Sequence, residues 1–298
     1  MPAPALILDG ESVNLCGVSA YDLERWVSTA AEIAREAGRE IRERLPGRRE
    51  IATKGSAVDL VTETDHHVDA LISRRLAEAF PDHARLAEET GSTIGSPGAP
   101  CWVVDPLDGT VNFAHGAPHF AVSIAAVIGF TPGGDWTPND GSRIVVGVVY
   151  DPMRDELFDA TEGGPARCNG EVLHRGGPPP LSDALVATGF PYDRRERAEE
   201  YLADWRRILP RCRDLRRAGA AALDLAWVAA GRWDAYFERG LHPWDIAAGA
   251  LLVRCAGGSA TDFSGNDLFL DASEVLAGPA ELSAEIRENL AAPLPGGA

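Results

Sequence analysis

The residues whose types and spacing point most directly to chemistry lie in the segment 102–110. An apolar run predicts a buried strand there, and it ends in Asp105, which a proline and, three positions on, Asp108 follow. Across a tight turn, both carboxylates and the carbonyl of Leu107 between them can point to one place. Hard cations such as Mg²⁺ prefer all-oxygen ligand sets of this kind. Taken alone, the segment could also be an ordinary Asp-Gly turn after a strand.

Two other acidic positions adjoin apolar segments and could complete a cation site. Glu88 and Glu89 follow a Leu-Ala pair, and on their own they are typical of a solvated loop. Asp245 stands two positions after Pro243 at the start of an apolar helix, where an acidic residue is more often a partner of the helix dipole. A site assembled from distant parts of the chain needs acidic residues in such positions, but spacing alone does not establish that they meet.

A hydroxyl-rich run precedes a predicted helix at Thr62, Thr64 and Asp65. One interpretation is helix capping, with Thr62 or Thr64 as the N-cap and Asp65 in the first turn. The other is catalytic: Asp65 orients Thr110, or accepts its proton, so that a water molecule is activated. The sequence leaves both interpretations open.

The spacing of apolar residues predicts the elements that position these groups. Helices are expected over 21–45, 63–80, 196–209, 220–230 and 243–256, and strands over 49–53, 101–106, 120–130, 143–150, 155–161 and 234–238, while residues 185–188 begin a second half. The irregular alternation of the two types predicts a layered α/β or α+β protein. No role can be assigned to the polar loop 131–142.

We expect one compact catalytic unit with two halves. A leader occupies residues 1–19, an N-terminal α+β half over 20–180 carries most of the predicted ligands, and a C-terminal α/β half over 181–298 carries Asp245 and substrate contacts.

The charge and cysteine content narrow the functional classes. With 28 Lys and Arg against 45 Asp and Glu, the formal net charge is −17. Because anionic phosphate backbones and membrane surfaces attract Lys and Arg, we expect neither a nucleic-acid nor a membrane partner. The five cysteines are widely spaced and form no C-x-x-C pair, which excludes a disulfide framework and favours a reducing cytoplasm.

Four segments resemble the inositol monophosphatase family in content and in order. They are 59–65 (DLVTETD), 88–89 (EE), 102–125 and 231–250, within a similarity that runs from about residue 21 to residue 262. The combination of D-P-L-D-G-T with a later P-W-D is highly specific. The resemblance implies an α-β-α-β-α sandwich and the Mg²⁺-dependent phosphomonoester hydrolysis of a lithium-sensitive phosphatase family.

By matching position, the resemblance implies a role for each candidate residue. The implied metal ligands, for about two or three Mg²⁺ ions, are Glu88, Asp105, Asp108, Asp245 and the carbonyl of Leu107. The implied catalytic residues are Thr110, Asp65 and Glu88, with Thr110 and Asp65 orienting the attacking water. The implied substrate contacts are Asp108, Gly109, Thr110, Arg216, Gly219, Ala220, Ala221, Glu238 and Asp245.

The resemblance implies inositol 1-phosphate as the first candidate substrate, attacked directly by water. Ala220 stands where the family often has a hydroxyl, so histidinol phosphate, fructose 1,6-bisphosphate or a broad set of sugar phosphates remain alternatives. Some bacterial relatives bind the transcription or ribosome machinery, and a non-enzymatic role of that kind is an alternative of another class. The resemblance also implies a homodimer that acts on a small phosphorylated polyol.

Overall fold

The computed structural model describes residues 18–45, 51–53, 60–130, 142–267 and 273–294. The helices in this part of the chain are α1 Ala20–Arg44, α2 Glu63–Ala79, α3 Thr110–His115, α4 Ala198–Ile208, α5 Ala221–Ala229, α6 Pro243–Cys255 and α7 Ala280–Ala291. A 3₁₀ turn lies at Leu181–Asp183. Most of the predicted leader and residues 131–141 of the loop fall outside the described residues.

In the described residues the strands form a two-stranded, an eight-stranded and a five-stranded sheet. They are β1 Ile51–Thr53, β2 Leu60–Thr62, β3 Ala84–Ala87, β4 Gly91–Thr93, β5 Cys101–Asp108, β6 Ala121–Ile128, β7 Arg143–Asp151, β8 Glu156–Thr161, β9 Arg167–Cys168, β10 Glu171–Val172, β11 Leu185–Thr188, β12 Asp214–Arg216, β13 Ala235–Arg239, β14 Ser259–Thr261 and β15 Glu274–Gly278.

The large sheet has the order β10-β9-β8-β7-β6-β5-β3-β4, and β3 with β5 is its parallel pair. The small sheet has the order β12-β11-β13-β15-β14, with β11 parallel to both β12 and β13. Strands β5, β6 and β7 are buried on both faces, so their sequences are continuous apolar runs rather than alternating ones.

Apolar helix faces explain the layers. Helix α1 begins at a capping box between Ser19 and Asp22 and, with α2, buries an apolar stripe that includes Ile33 and Ile72 against one face of the large sheet. Helices α5 and α6 pack between the two sheets, which accounts for the burial of every residue of α6 from Ile246 to Val253.

Residues of α4 and α7 cover the outer face of the small sheet, where Ile208 and Ile286 contribute to a third apolar cluster. The order of layers is therefore helix, sheet, helix, sheet, helix, as predicted.

The predicted helices and strands are present, with ends that differ by a few residues. Helix α3, strands β3, β11 and β12 and the C-terminal pair of β15 and α7 are among the elements that were not predicted. Gly147 in β7 shows how closely the central layer packs, because a Cβ atom there would lie 2.8 Å from the carbonyl oxygen of Ala248 in α6. None of the helices in the described ranges is both long and apolar enough to cross a membrane.

Candidate metal centre

Strand β5 delivers the first two carboxylates. It lies between β3 and β6, and its register with β6 shifts between the pairs Asp105–Ser123 and Asp108–Ala121. The irregularity turns the chain so that Asp105 Oδ1 accepts a hydrogen bond from the backbone N–H of Leu107 over 2.9 Å. The predicted tight turn therefore exists, and it brings both aspartates to one side of the strand end.

A third carboxylate joins them from the far end of the chain. Oxygen atoms of Asp105, Asp108 and Asp245 all lie within 4.8 Å of one another. Asp245 lies in the first turn of α6, and its Oδ2 also accepts the N–H of His242 over 2.7 Å. Asp245 therefore interacts with the N-terminus of α6, as its sequence position suggested, and also contributes to the carboxylate cluster.

Glu88 follows β3 directly, and its N–H donates to the carbonyl of Val104 over 3.1 Å. Its side chain lines the same cleft as the three aspartates. The neighbouring Glu89 is part of a different environment, with its carboxylate 3.7 Å from the ring of His66. The first glutamate of the pair therefore lines the cleft with the aspartates, and, after burial, the charge of the second contributes to the raised pKa of Asp65.

The electrostatics of the cluster fit a bound cation. Burial, then the charges of Glu88, Asp108 and Asp245, raise the pKa of Asp105 well above its usual value. Burial, followed by the charge of Asp245, raises the pKa of Asp108 to about 8. Like charges held this close are unfavourable in the ionised state unless a cation compensates them. The oxygen-only donor set, with the carbonyl of Leu107 in the same cleft, matches a hard divalent ion such as Mg²⁺.

Asp108 has a second function in the fold. Its carboxylate oxygens accept the N–H groups of Ala221 over 3.2 Å and Ala222 over 2.8 Å, at the N-terminus of α5. These bonds satisfy backbone donors that the first turn of a helix leaves unpaired. Asp108 therefore ties the end of β5 to the helical layer between the sheets.

Asp65 and Thr110 meet although they come from different elements. Thr110 Oγ1 donates to Asp65 Oδ1 over 2.8 Å and lies 3.1 Å from the carbonyl oxygen of Leu107. The other oxygen of Asp65 accepts both the N–H and the hydroxyl of Thr62 in a capping box. Burial raises the pKa of Asp65, and the bonds from Thr62 and Thr110 oppose that shift. The capping geometry and the contact with Thr110 that sequence reasoning kept as alternatives are both present.

A cleft opens over the cluster. The predicted site residues that line it are Glu88, Asp105, Leu107, Asp108, Gly109, Thr110, Gly219, Ala221, Glu238 and Asp245. Asp65 lies behind Thr110 and is 1% exposed, so its access to the cleft runs through the threonine hydroxyl.

Gly109 needs to be glycine for two reasons. Its φ of +91° lies in the left-handed region, and a Cβ atom would lie 3.0 Å from the carbonyl oxygen of His119. The same imagined atom would lie 3.2 Å from the methyl group of Ala220. Ala220 is buried against this turn and does not line the cleft, which corrects its predicted position as a substrate contact.

Arg216 also requires correction. Its guanidinium bonds to Asp214 and to the carbonyl of Leu215, and it does not line the cleft. Arg217 lines the cleft instead. Successive side chains of an extended segment point to opposite sides. Arg216 therefore points to the protein surface, whereas the next residue, Arg217, points into the cleft.

Glu238 is the half-buried acid on the small-sheet side of the cleft. The hydroxyl of Tyr236 donates to its carboxylate, and burial raises the pKa of Glu238 to about 8. The absence of a side chain at Gly189 leaves room for this carboxylate, because a Cβ atom on residue 189 would overlap the carboxylate of Glu238.

Sequence reasoning missed the segment that follows β11. Phe190, Pro191, Tyr192 and Arg194 line the cleft. The available signal was a group of aromatic and basic residues directly after an apolar strand end, which is where α/β proteins commonly place ligand contacts.

The fold and the cluster together define a layered α/β protein with a buried, carboxylate-lined centre suited to a divalent metal ion. The chain belongs to the inositol monophosphatase family, whose model matches residues 22–294. Membership supports a phosphatase, and this family generally uses Mg²⁺.

Relatives of this chain carry two kinds of name. It is 42% identical over 254 residues to the "Nus factor SuhB" of Salmonella typhimurium, an alignment covering 85% of this chain and 90% of that protein. It is 40% identical over 246 residues to the "Inositol-1-monophosphatase" of Rhizobium meliloti, covering 83% and 88%. The crystal structure of the extragenic suppressor protein suhB from Bartonella henselae is 35% identical, has a TM-score of 0.81 and covers 90% of this chain and 98% of its own.

These names contradict one expectation. Several relatives, in Salmonella, Escherichia and Pseudomonas, are called Nus factor, a transcription-associated factor, which conflicts with the prediction of no nucleic-acid partner. The prediction was based on the formal net charge of −17. A net charge sums over the whole chain and says nothing about association through a local surface or through another protein.

Proposed function

We propose that this protein is a Mg²⁺-dependent phosphomonoesterase that hydrolyses inositol 1-phosphate to inositol and phosphate. One observation carries the proposal: the carboxylates of Asp105 and Asp108, which are buried, and of Asp245, which is half-buried, converge within 4.8 Å. Glu88 and Thr110 line the same cleft. The relative from Rhizobium meliloti named inositol-1-monophosphatase supports the choice of substrate.

The proposed ligands are Glu88, Asp105, Asp108, Asp245 and the carbonyl of Leu107, for about two or three ions. Bound Mg²⁺ supplies neutralisation of phosphate charge, a lowered pKa for the attacking water and stabilisation of the leaving oxygen. Phosphoryl transfer depends on such positioning and charge compensation, because its transition state spreads negative charge over the oxygens.

The chain itself positions the nucleophile. Because the Thr110 hydroxyl donates its proton to Asp65, its oxygen is left to accept a hydrogen bond from water. That hydrogen bond would orient the water towards the phosphorus atom. Glu88 would accept the other proton of the same water molecule. The water oxygen bonds to phosphorus while the bond from phosphorus to the inositol oxygen breaks. Glu88 would pass the proton that it took from the water to the leaving oxygen, directly or through solvent, while the other proton of the water stays on the released phosphate, and no covalent enzyme intermediate would form.

Two groups of residues in the cleft would contact the substrate. Gly109 and Thr110 would contact the phosphate, and Glu238 would contact a hydroxyl of the polyol. At neutral pH the raised pKa keeps Glu238 largely protonated. A protonated carboxyl can donate as well as accept, which suits recognition of hydroxyl groups.

A substrate panel tests the proposal. Phosphate release is measured from inositol 1-phosphate, histidinol phosphate and fructose 1,6-bisphosphate, with Mg²⁺ and with EDTA. The highest kcat/KM is expected for inositol 1-phosphate, with no turnover in EDTA. A higher kcat/KM for another compound would transfer the assignment to that substrate, and absence of Mg²⁺-dependent release from all three would contradict the proposed function.

A transcription-associated role is a second candidate, favoured by the 42% identity to proteins named Nus factor. It is tested by co-sedimentation of the purified chain with transcription elongation complexes, using wild-type protein and the Asp108→Asn variant. Association that is equal for both proteins would indicate a role independent of the proposed chemistry. Absence of association would remove this candidate.

A further inference from the structure

A buried contact between His119 and Asp224 has no role in the proposed hydrolysis. Nε2 of His119 lies 3.2 Å from Oδ1 of Asp224, and the indole N–H of Trp233 donates to the same oxygen over 3.1 Å. Because an indole N–H can only donate, Oδ1 is the shared acceptor and Nε2 of the histidine carries the hydrogen. The side chains of the histidine and the aspartate are 13% and 2% exposed, and neither residue lines the cleft.

The aspartate end of this contact lies in the first turn of α5, beside the metal centre. The three residues that precede Asp224 donate their backbone N–H groups to the carboxylate of Asp108, over distances from 2.8 to 3.4 Å. The N–H of Asp224 itself donates to the carbonyl of Ala220 over 2.9 Å. A displacement of this turn would therefore move the donors that hold Asp108.

The histidine end lies against the turn that carries Asp108. The carbonyl oxygen of His119 accepts the amide of Asn112 over 2.7 Å and lies 3.0 Å from the point that a Cβ atom on Gly109 would occupy. Gly109 directly follows Asp108 and precedes Thr110. The same residue thus contacts the turn after β5 with its backbone and the first turn of α5 with its ring.

Aromatic and cationic contacts fix the direction of the His119 ring. The ring packs edge-on against Trp227, with the ring centroids 5.1 Å apart and an interplanar angle of 86°. The guanidinium of Arg154 lies over the same indole at 4.8 Å and donates to the carbonyl of Pro118 over 3.0 Å. Trp227 belongs to α5, so these contacts hold the histidine to the helix that its ring nitrogen bonds.

The burial of Asp224 makes the contact with His119 costly to lose. Burial raises the pKa of Asp224, and the bonds from His119 and Trp233 oppose that shift. Removal of the partner of a buried charge is strongly destabilising. After burial and the charge of Asp245, Asp224 adds to the raised pKa of Asp108, whereas His119 lowers that pKa. The two partners therefore act on Asp108 in opposite directions, which limits the net charge that they place beside it.

We infer that His119 and Asp224 are positioning residues of the metal centre. Their contact fixes the first turn of α5 relative to the turn after β5, and it thereby sets the direction in which Asp108 presents its carboxylate to Asp105 and Asp245. We expect neither residue to touch the metal ion or the substrate. The inference rests on the proposed function for the presence of a divalent ion, and it adds two residues on which the geometry of the carboxylate cluster depends.

The test compares two substitutions of histidine by phenylalanine. His119→Phe keeps a ring against Trp227 and removes the donor to Asp224. His83→Phe is the matched control, because it removes the acceptor of the 3.0 Å bond from the Trp102 indole, within an aromatic cluster on the α1 side of the large sheet. His119→Gln restores a donor to Asp224 and tests for rescue.

The dissociation constant of Mn²⁺ is measured for each protein by electron paramagnetic resonance, together with kcat and KM for inositol 1-phosphate. His119→Phe should bind Mn²⁺ about tenfold more weakly and lower kcat by a larger factor than it changes KM, because Asp108 is misdirected. His119→Gln should remain within about threefold of wild type, and His83→Phe should match wild type. Unchanged Mn²⁺ affinity in His119→Phe would overturn the inference, and so would equal losses in the two phenylalanine variants.

A double variant keeps the test decisive if His119→Phe does not fold. His119→Phe/Asp224→Asn leaves no unpaired charge in the interior, and the introduced amide oxygen can still accept the Trp233 N–H. This protein should bind Mn²⁺ about tenfold more weakly than Asp224→Asn alone. Equal affinities of these two variants would refute the positioning role.

The metal measurement separates this inference from the proposed function. If no compound releases phosphate but the Mn²⁺ affinities follow the expected order, the proposed hydrolysis fails and the positioning role stands. If the wild-type protein releases phosphate and the Mn²⁺ affinities are equal, the hydrolysis stands and the positioning role fails. A wild-type protein that binds no Mn²⁺ would contradict both.

Discussion

The hydroxyl of Thr110 donates to the carboxylate of Asp65 over 2.8 Å, although the two residues lie 45 positions apart in the chain. Thr110 lines the cleft and Asp65 lies behind it. The contact joins the start of α2 to the turn after β5, so the buried acid acts on the cleft only by fixing the direction of one hydroxyl. A group that directs another residue in this way is a positioning residue rather than a direct participant.

Removal of the Thr110 hydroxyl should therefore slow the reaction without weakening substrate binding to the same degree. Thr110→Val keeps the shape of the side chain and is expected to lower kcat about 10²-fold, with a smaller change in KM. Thr110→Ser restores the hydroxyl and should recover most of the rate. Steady-state kinetics of both variants check this, and a Val variant as active as wild type would exclude a role for the pair.

Asp108→Asn should abolish Mg²⁺-dependent hydrolysis while the fold persists. The amide oxygen can still accept an N–H from the start of α5, but the neutral group binds a dication poorly, so a loss of about 10²-fold or more in kcat is expected. Asp183→Asn, at an exposed acid paired with Arg213, is the matched control and should retain full activity. Circular dichroism establishes folding, and wild-type turnover in Asp108→Asn would place the metal centre elsewhere.

Glu238 gives a stability prediction with a defined pH window. Burial raises its pKa from 4.5 to about 8, so the folded state holds a proton that the unfolded state has lost between these two values. Its contribution to stability therefore falls as pH rises through this window and is constant outside it.

Glu238→Gln removes that titration. The difference in unfolding free energy between variant and wild type, measured by urea denaturation in EDTA, should shift in favour of the variant from pH 5 to pH 8. A difference that is independent of pH would indicate that the carboxyl is ionised in the fold throughout the window.

Asn112 joins the segment before β6 to the segment before α5. Its amide nitrogen donates to the carbonyl of His119 over 2.7 Å and to that of Ala218 over 2.8 Å. Asn112→Asp replaces these donors by acceptors and should destabilise the protein by about 1–3 kcal/mol, with a higher KM as the segment at Gly219 loosens.

Thermal unfolding and KM values check this prediction. Asn289→Ala, which loses one bond on the exposed side of α7, is the control and should change little. An unaltered melting temperature in Asn112→Asp would show that the bridge contributes nothing.

Local patterns identified the aspartates as candidate ligands, and the family resemblance implied that they share a metal site. Asp105 and Asp108 follow a buried strand, and Asp245 follows a proline at a helix start, so their positions depend on short-range geometry. The exchange of Arg216 for Arg217 could not be predicted, because two adjacent arginines differ only in the side to which they point. That direction depends on how β12 pairs with β11.

Long-range contacts explain the other differences. Tyr192 and Arg194 reach the cleft because the segment after β11 lies beside residues from β5 and α6, and no spacing within one segment predicts that meeting. The family resemblance implied that Ala220 lies in the cleft. Instead, Ala220 packs against Gly109, and the close approach of the turn at Gly109 leaves Ala220 buried. The layered fold class, in contrast, was predicted from the spacing of apolar residues within single helices and strands.

The most direct test of the metal centre is anomalous diffraction from crystals soaked in Mn²⁺, an ion with oxygen preferences close to those of Mg²⁺. We expect anomalous density between Asp105, Asp108 and Asp245, with Glu88 also in contact, in wild-type crystals, and we expect that density to be lost in Asp108→Asn. Crystals that show no anomalous density at these carboxylates in saturating Mn²⁺ would contradict this expectation.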